Sequence, residues 1–286
     1  MKNKYENTYQ NKYVTYQDFI GSAEARHNMI ANMNLMDDVL FAVTMEDTKA
    51  CEYVLREITG IKTLHVVSSK AQFSVYNLTS HSVILDVIAE DDTGQLFNIE
   101  IQKSNNDHHP KRIRYYQANV DTTFLSKGIK YENLPEAWFI FISDFDPFNL
   151  GDNYYEIERK IKGRDSHVNN GIHEVYLNTK IINERGITRL LQYFKDTDAA
   201  NDEFGALSER IRFIKDNSKG GNTYMSEQLR ILIEGACEAK DKIISEQAKE
   251  LNNKDTVIQN KDIELQTKDA EIAALKAQIA AMQKTG

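Results

Sequence analysis

Two carboxylates lie inside neighbouring apolar runs of this sequence. Asp86 falls within 83–91 and Glu100 within 95–102, where Gln102 follows two positions later. Acidic residues are depleted from strand interiors and are rarely buried unless they are paired or bind a metal. Two carboxylates and an amide oxygen are suitable ligands for a hard cation such as Mg²⁺. The pattern therefore predicts that Asp86 and Glu100 hold a divalent metal.

A β-hairpin would bring these side chains together. The predicted hairpin comprises strands 83–91 and 95–102 and the loop Asp92-Thr93-Gly94. Glycine in such a loop supplies the positive φ that short hairpins favour. In this register Asp86 lies directly opposite Glu100, and Gln102 shares their face because side chains alternate along a strand. The intervening residues point to the other face and into a core: Phe97, Ile99 and Ile101.

The two acids also have a second interpretation. Like charges that face each other across a hairpin repel, so without a metal the pair would lose stability or share a proton. A sheet face that is open to solvent and merely carries acidic residues would avoid this cost. The hairpin alone leaves both alternatives open.

A basic cluster follows the hairpin and consists of Lys111, Arg112 and Arg114. It belongs to a predicted helix that begins at Pro110 and reaches about Lys127. Cations fix the nucleic-acid backbone while a metal beside them polarises one phosphate. The cluster therefore predicts contacts to DNA phosphates. The alternative is a solvated helix face whose tyrosines pack on the sheet.

An uninterrupted apolar run, Ala137–Ser143, comes next. Such a run is typical of a central strand that is covered on both faces. A helix between two strands makes those strands parallel neighbours. The sequence therefore predicts an α/β fold, with a mixed β-sheet core flanked by helices.

The region before the hairpin predicts one helix and an edge strand. Apolar residues recur at helical spacing from Asn34 or Asp37, either of which can cap a helix, to Gly60, which ends it. Asp38 lies at the start of this helix, where capping is one role and service as an additional acid of the metal site is another. Residues 63–76 predict either a strand pair or one long edge strand.

The C-terminal part carries a seven-residue apolar repeat: Ile244, Leu251, Ile258, Leu265, Ile272 and Ile279. A stripe of period seven is typical of a coiled-coil helix that supercoils with a partner. Lysine and glutamine occupy several companion seam positions and weaken the seam. A homo-oligomer formed through residues 236–286 and a lone exposed helix are therefore alternatives.

The predicted organisation is a polar leader at 1–30, a core at 31–150, completion of the core with a helical cap at 151–235, and the heptad-repeat helix at 236–286. In the third of these regions, strands are predicted at Tyr154–Lys160 and Ile172–Leu177, and helices at Thr188–Lys195, Ala199–Lys215 and from Met225 onward.

Composition is ordinary for a soluble protein, with 41% hydrophobic and 27% charged residues. No apolar run reaches the length of a membrane span, and the polar start is unlike a signal peptide, so a cytoplasmic protein without membrane contact is expected. The net charge of −8 argues against non-specific coating of nucleic acid. Cys51 and Cys237 lack the spacing of a zinc site.

Several short motifs occur in a defined order: Asn34-x-x-Asp37-Asp38-x-x-Phe41, Asp86, Asn98-Ile-Glu100-Ile-Gln102, Arg112-x-x-Tyr115-Tyr116, Gly128-x-x-Tyr131-x-x-Leu134, Tyr176-Leu-Asn178-Thr-Lys180 and Leu190-Leu-Gln-Tyr193-Phe-Lys. The ordered set resembles the PD-(D/E)XK nuclease family transposases, which include the recombination-promoting (Rpn) nucleases. The resemblance covers residues 31–235.

The resemblance implies a restriction-endonuclease-like core that hydrolyses DNA phosphodiester bonds with Mg²⁺, for which Mn²⁺ can substitute. It implies that Asp86 and Glu100 hold the metal, and that Gln102 orients the attacking water in the position where the wider superfamily has a lysine. An amide forms hydrogen bonds but carries no charge. Lys111 or Arg112 is therefore the candidate replacement cation.

Two functions from different classes follow. The first is a Mg²⁺-dependent DNA endonuclease linked to recombination or transposition. The second is a catalytically weak or inactive DNA- or protein-binding module that oligomerises through its C-terminal heptads.

Overall fold

The chain divides into two compact units, Met1–Leu229, called here the core unit, and Arg230–Gly286, called the tail. The computed structural model describes residues 23–75, 83–103, 110–125, 130–216 and 225 of the core unit, and residues 253–254, 256–259, 261–268, 271–272 and 276 of the tail. Most of the predicted polar leader at 1–30 lies outside the described residues.

Within the described residues, six strands form one sheet. They are β1 (Val66–Val75), β2 (Val83–Asp91), β3 (Leu96–Gln102), β4 (Ala137–Ser143), β5 (Tyr154–Ile157) and β6 (Ile172–Asn178). Their order across the sheet is β1-β2-β3-β4-β6-β5. Strands β3, β4 and β6 are parallel, whereas the β1/β2, β2/β3 and β5/β6 pairs are antiparallel. The predicted mixed sheet is confirmed.

The described helices of the core unit are α1 (Ala23–Ala31), α2 (Asp38–Met45), α3 (Thr48–Thr59), α4 (Pro110–Phe124), α5 (Ile187–Tyr193) and α6 (Ala206–Lys215). Strand β4 is buried along its whole length and lies between β3 and β6, as its apolar sequence predicted. Strand β1 is one long edge strand rather than a strand pair.

The single helix predicted to end at Gly60 is two helices. Asp47 lies between α2 and α3, and its Oδ1 accepts hydrogen bonds from the backbone N–H groups of Lys49 and Ala50, both at 3.0 Å. This side-chain cap starts a new helix even though the apolar spacing continues across the break. The predicted end is confirmed, because Gly60 adopts a φ of 73° at the C-cap of α3.

Helix α4 covers one face of the sheet. Ile113, Tyr116 and Val120 of this helix pack in one buried cluster with Phe139 and Phe141 of β4. The packing of Tyr116 on the sheet was one of the two sequence interpretations of this helix. The helix ends at Phe124, earlier than the predicted Lys127, and the segment 126–129 lies outside the described residues.

The later helices are shorter than predicted. Helix α6 begins at Ala206, not at Ala199, because the preceding residues form turns. Asp198 Oδ1 accepts from the backbone N–H of Ala200 at 2.9 Å, and Gly205 adopts a φ of 51°. Side-chain acceptors of this kind offer the backbone an alternative to helix. Of the helix predicted from Met225 onward, Met225 itself is described and is helical.

Lys215 contacts backbone from an early and from a late part of the core unit. This buried lysine donates hydrogen bonds from Nζ to the backbone oxygens of Ala31 at 3.1 Å, Met33 at 2.6 Å and Thr197 at 2.8 Å. Burial lowers the pKa of Lys215, and the carbonyl oxygens satisfy its three donors.

The described residues of the tail are helical and exposed. Ile258, Leu265 and Ile272 of the heptad repeat expose 55%, 58% and 48% of their surface. The repeat positions Ile244, Leu251 and Ile279 lie outside the described residues, and coiled-coil pairing stays a prediction. In the described part of the chain, no helix has the length and apolar character of a membrane span.

Candidate active site

Strands β2 and β3 place the two predicted acids beside each other. The ladder pairs Val87 with Ile99 and continues to Glu90 and Leu96, so its next step sets Asp86 against Glu100. The predicted register is confirmed over these pairs. At the site itself, side chains replace the ladder bonds: the Asp86 N–H donates to Glu100 Oε1 at 3.2 Å, and the Ile101 N–H donates to Asp86 Oδ2 at 3.0 Å. Each carboxylate therefore accepts a backbone N–H from the opposite strand.

Glu100 lies beneath α4 and is only 3% exposed. Its Oε1 accepts a second hydrogen bond from Asn98 Nδ2 at 2.8 Å, whereas its Oε2 is buried without a hydrogen-bond donor. The interpretation of an open sheet face that merely carries acids is therefore wrong for Glu100. A buried carboxylate oxygen without a donor is costly, and such atoms require an explanation.

Both acids resist ionisation. Burial raises the pKa of Asp86 from 3.8 to about 6, with the charge of Asp38 adding to the rise and the Ile101 N–H and Arg112 opposing it. Burial, followed by the charge of Asp86, raises the pKa of Glu100 well above its usual value. Asp86 is half-buried and Glu100 is buried. Two neighbouring carboxylates with raised pKa values are a recognised signature of functional sites.

Arg112 brings a positive charge to the pair. It lies in the first turns of α4, where its Nη1 donates to Gln102 Oε1 at 2.8 Å and its Nε donates to the Tyr116 hydroxyl at 2.7 Å. Its Nη2 is 3.6 Å from Glu100 Oε2, close enough for an ion pair but too far for a hydrogen bond. Of the two candidate replacement cations, Arg112 is the one with described contacts to the predicted site.

The remaining predicted residues surround this centre. Lys111 and Arg114 are exposed residues of α4. Asp38 lies in the first turn of α2, where burial raises its pKa and the charge of Lys103 lowers it. Lys103 follows β3 and forms an ion pair with Asp37. Asp38 is thus close enough for its charge to act on Asp86, but among the described residues it does not join a ligand cluster.

Two partners at the site were missed in the sequence. Asn98 binds Glu100, and Tyr116 holds the guanidinium of Arg112, whose carbon lies 5.2 Å from the centre of the tyrosine ring. Asn98 could have been found from strand periodicity, because it lies two residues before Glu100 on the same face. Tyr116 was assigned to packing, and its hydroxyl has the additional role of orienting Arg112.

The protein-family model for the PD-(D/E)XK nuclease family transposase matches residues 53–256. The chain belongs to this family. The match includes all six strands together with Asp86, Glu100 and Arg112, and membership assigns the chain to a nuclease- and transposition-related class with DNA as the indicated substrate. The mixed sheet flanked by helices is accordingly a restriction-endonuclease-like α/β fold. No match was found among curated proteins or among solved structures.

PD-(D/E)XK nucleases typically use divalent metals. Among the described residues, no group of three or more His, Cys, Asp and Glu side chains is arranged to hold a metal ion. Mg²⁺ keeps several waters and is often bound by one or two carboxylates plus substrate phosphate. Asp86 and Glu100 fit this smaller donor set, since Glu100 Oε2 is a buried carboxylate oxygen without a donor.

Proposed function

We propose that this protein is a Mg²⁺-dependent DNA endonuclease linked to recombination or transposition. The observation that carries the proposal is the facing pair of half-buried Asp86 and buried Glu100, whose pKa values are both raised and of which Glu100 keeps an oxygen without a donor. A divalent cation bound between Asp86 and Glu100 would offset the burial and the nearby negative charges that raise the pKa values of the two acids. Mn²⁺ is expected to substitute because it accepts the same oxygen ligands.

In this proposal four residues have separate roles in the reaction. Asp86 and Glu100 would hold the metal, which when bound supplies Lewis-acid stabilisation of the scissile phosphate and acidifies water. Arg112 directs a fixed positive charge toward the charge that develops on the phosphate. The amide oxygen of Gln102 accepts a hydrogen bond from Arg112. In this proposal Gln102 therefore orients the attacking water through its amide nitrogen, which donates hydrogen bonds.

Lys111 and Arg114 would bind phosphates of the DNA backbone. Both are exposed on the helix that carries Arg112 and are therefore accessible to a duplex that reaches the acids.

Plasmid cleavage tests the proposal. Supercoiled plasmid is incubated with the full chain in Mg²⁺, in Mn²⁺ and in EDTA, and the same assay is run on Asp86→Asn, Glu100→Gln and Glu90→Gln. Glu90 is the matched control, because it is an acid of the same strand four residues from Asp86. Cleavage that requires metal, is lost in the first two variants and persists in the third is expected. Full Mg²⁺-dependent cleavage by Asp86→Asn would overturn the assignment.

A second test separates Arg112 from its neighbour. Arg112→Ala should slow single-turnover cleavage by about 10²- to 10³-fold, the loss typical of one group that stabilises transition-state charge. Arg112→Lys should recover only part of the rate, because an ammonium group cannot keep the planar contacts to both Gln102 and Tyr116. Lys111→Ala should mainly weaken DNA binding. Equal single-turnover rates for wild type and Arg112→Ala would exclude this role.

One observation favours the alternative of a catalytically weak DNA-binding module. The superfamily lysine is absent, and Arg112 lies against the same carboxylate oxygen that would bind metal. The plasmid assay decides between the two functions, since the alternative predicts DNA binding without a difference between Mg²⁺ and EDTA.

A further inference from the structure

A charged hairpin, residues 158–171 and called here the arm, projects between β5 and β6. The backbone closes it through hydrogen bonds from the Ile161 N–H to the Ser166 oxygen at 3.0 Å and from the Val168 N–H to the Arg159 oxygen at 2.9 Å. Every residue from 158 to 170 is exposed. The arm is thus ordered by its own backbone and buries little against the core, which leaves its side chains available for a partner.

The arm concentrates positive charge in a chain whose net charge is −8. Its cationic side chains, His167 apart, are Arg159, Lys160, Lys162 and Arg164. Lys160 pairs with Asp165 at 2.8 Å, but Lys162 and Arg164 have no ion-pair partner among the described residues. These two lie on either side of Gly163, whose φ of 78° makes the turn at the tip. The tip therefore presents two cations whose charge is not neutralised by the fold.

Helix α4 connects the acids to the base of the arm. At its start, Arg112 contacts Gln102; in its middle, Gln117 Nε2 donates to Glu174 Oε2 of β6 at 3.1 Å. Near its end lies Asp121, whose pKa is raised by burial and lowered in part by the charge of Arg159. The arm and the acids are thus at opposite ends of one helix on one face of the sheet.

The spacing between the two ends suits double-stranded DNA. From Arg112 to Asp121 the helix advances roughly 14 Å, at about 1.5 Å per residue. The major groove of B-DNA is about 12 Å wide. A duplex with one phosphate at Asp86 and Glu100 would therefore place its next backbone crossing near Arg159 at the base of the arm, and the tip lies farther along the hairpin. Two-stranded ribbons with basic side chains are a known means of DNA contact.

We infer that the arm is a second DNA-binding element, in which Lys162 and Arg164 bind backbone phosphates of duplex DNA at or beyond the next backbone crossing from the phosphate held at the acids. The inference rests on the proposed function, since it takes the cleaved DNA as the ligand. It assigns to the arm a contact that supplies affinity and register, and no part in the bond-breaking step.

Salt-dependent DNA binding tests the arm. The probe is a 30-base-pair fluorescein-labelled duplex of mixed sequence, titrated with the full chain in EDTA at several KCl concentrations and followed by anisotropy. The test variant is Lys162→Ala with Arg164→Ala. The matched control is Lys49→Ala with Lys62→Ala, which also removes two exposed positive charges but on and beside α3. Circular dichroism checks that both variants are folded.

Each lost phosphate contact should reduce the slope of log affinity against log salt by about 0.9. The arm variant should therefore have a slope shallower by about 2, and between 50 and 200 mM KCl the wild type should lose about 12-fold more affinity than this variant. The control should retain the wild-type slope. With saturating duplex and Mg²⁺, the arm variant should cleave at the wild-type single-turnover rate.

Two results would overturn the inference: an arm variant with the wild-type slope, or equal decreases in the arm variant and the control. Cleavage by the wild type is scored separately. Metal-dependent cleavage with equal slopes rejects the arm and leaves the nuclease, whereas an arm-dependent slope without cleavage supports the arm and rejects the nuclease.

Discussion

Neutralising Asp86 should stabilise the protein at neutral pH. Because burial raises the pKa of Asp86 from 3.8 to about 6, the folded state holds a proton that the unfolded state releases between those values. The contribution of Asp86 to the free energy of unfolding is therefore fully present below pH 3.8 and is lost as pH rises through about 6. At about 1.36 kcal/mol per pH unit, the shift of roughly two units corresponds to about 3 kcal/mol.

Asp86→Asn removes this cost and keeps an oxygen that can accept the Ile101 N–H. Urea unfolding in EDTA, followed by the fluorescence of Trp138, measures the free energy of unfolding of the core unit, because Trp138 is the only tryptophan in the chain. The variant should exceed the wild type by about 3 kcal/mol at pH 8 and by well under 1 kcal/mol at pH 3.5. Mg²⁺ should raise the unfolding free energy of the wild type more than that of the variant.

Asp146→Asn is a control for which the expected change in the free energy of unfolding has the opposite sign. Burial alone would raise the pKa of Asp146, but hydrogen bonds from the Gly151 N–H at 2.8 Å and the Tyr155 hydroxyl at 2.8 Å hold it below its usual value. Stability from this carboxylate is present at neutral pH and lost as pH falls, so its removal should destabilise the protein at pH 8 and less at pH 3.5. An Asp86→Asn gain that is independent of pH, or absent, would refute the reasoning about the buried pair.

Three further measurements follow from the same structure. At Mg²⁺ concentrations well below saturation, the single-turnover cleavage rate should rise with pH through about 6, because metal binding requires ionised Asp86; a rate already maximal at pH 5 under these conditions would contradict this. Asp47→Ala should lower the free energy of unfolding by about 1 kcal/mol through loss of the α3 cap, whereas Asp47→Asn should cost less, and equal losses would exclude the capping role. A chain truncated after Gly235 should have a smaller oligomeric mass in light scattering if the heptads pair, and an unchanged assembly number would count against association through the tail.

The hairpin was predictable because its determinants are local. Apolar alternation, the glycine in the loop and the unusual acids at Asp86 and Glu100 together allow one register, and a shift by one residue would move Phe97 and Ile99 off the core face. The central strand β4 was predictable for a similar reason, because only a strand covered on both faces tolerates an uninterrupted apolar run.

The errors arise where a single polar contact outweighs periodicity. The break at Asp47 interrupts a regular apolar pattern, and the sequence signal for it was one capping residue among many acids. The choice between Lys111 and Arg112 depended on the rotation of α4 over the sheet, which Ile113, Tyr116 and Val120 set by packing. Neighbouring residues on a helix point about 100° apart, so the sequence alone could not choose between two adjacent cations, and the structure shows the contact of Arg112 with Gln102.

The contacts of Lys215 bear on when the core unit is completed during synthesis. Its ammonium group binds backbone near residue 31 and residue 197, so helix α1 obtains this contact only after most of the core unit has been made. At about 5 to 20 residues per second, roughly ten seconds or more separate emergence of Ala31 from emergence of Lys215. A nascent chain would thus carry Asp86 and Glu100 for several seconds before Lys215 can make these contacts with the earlier parts of the core unit.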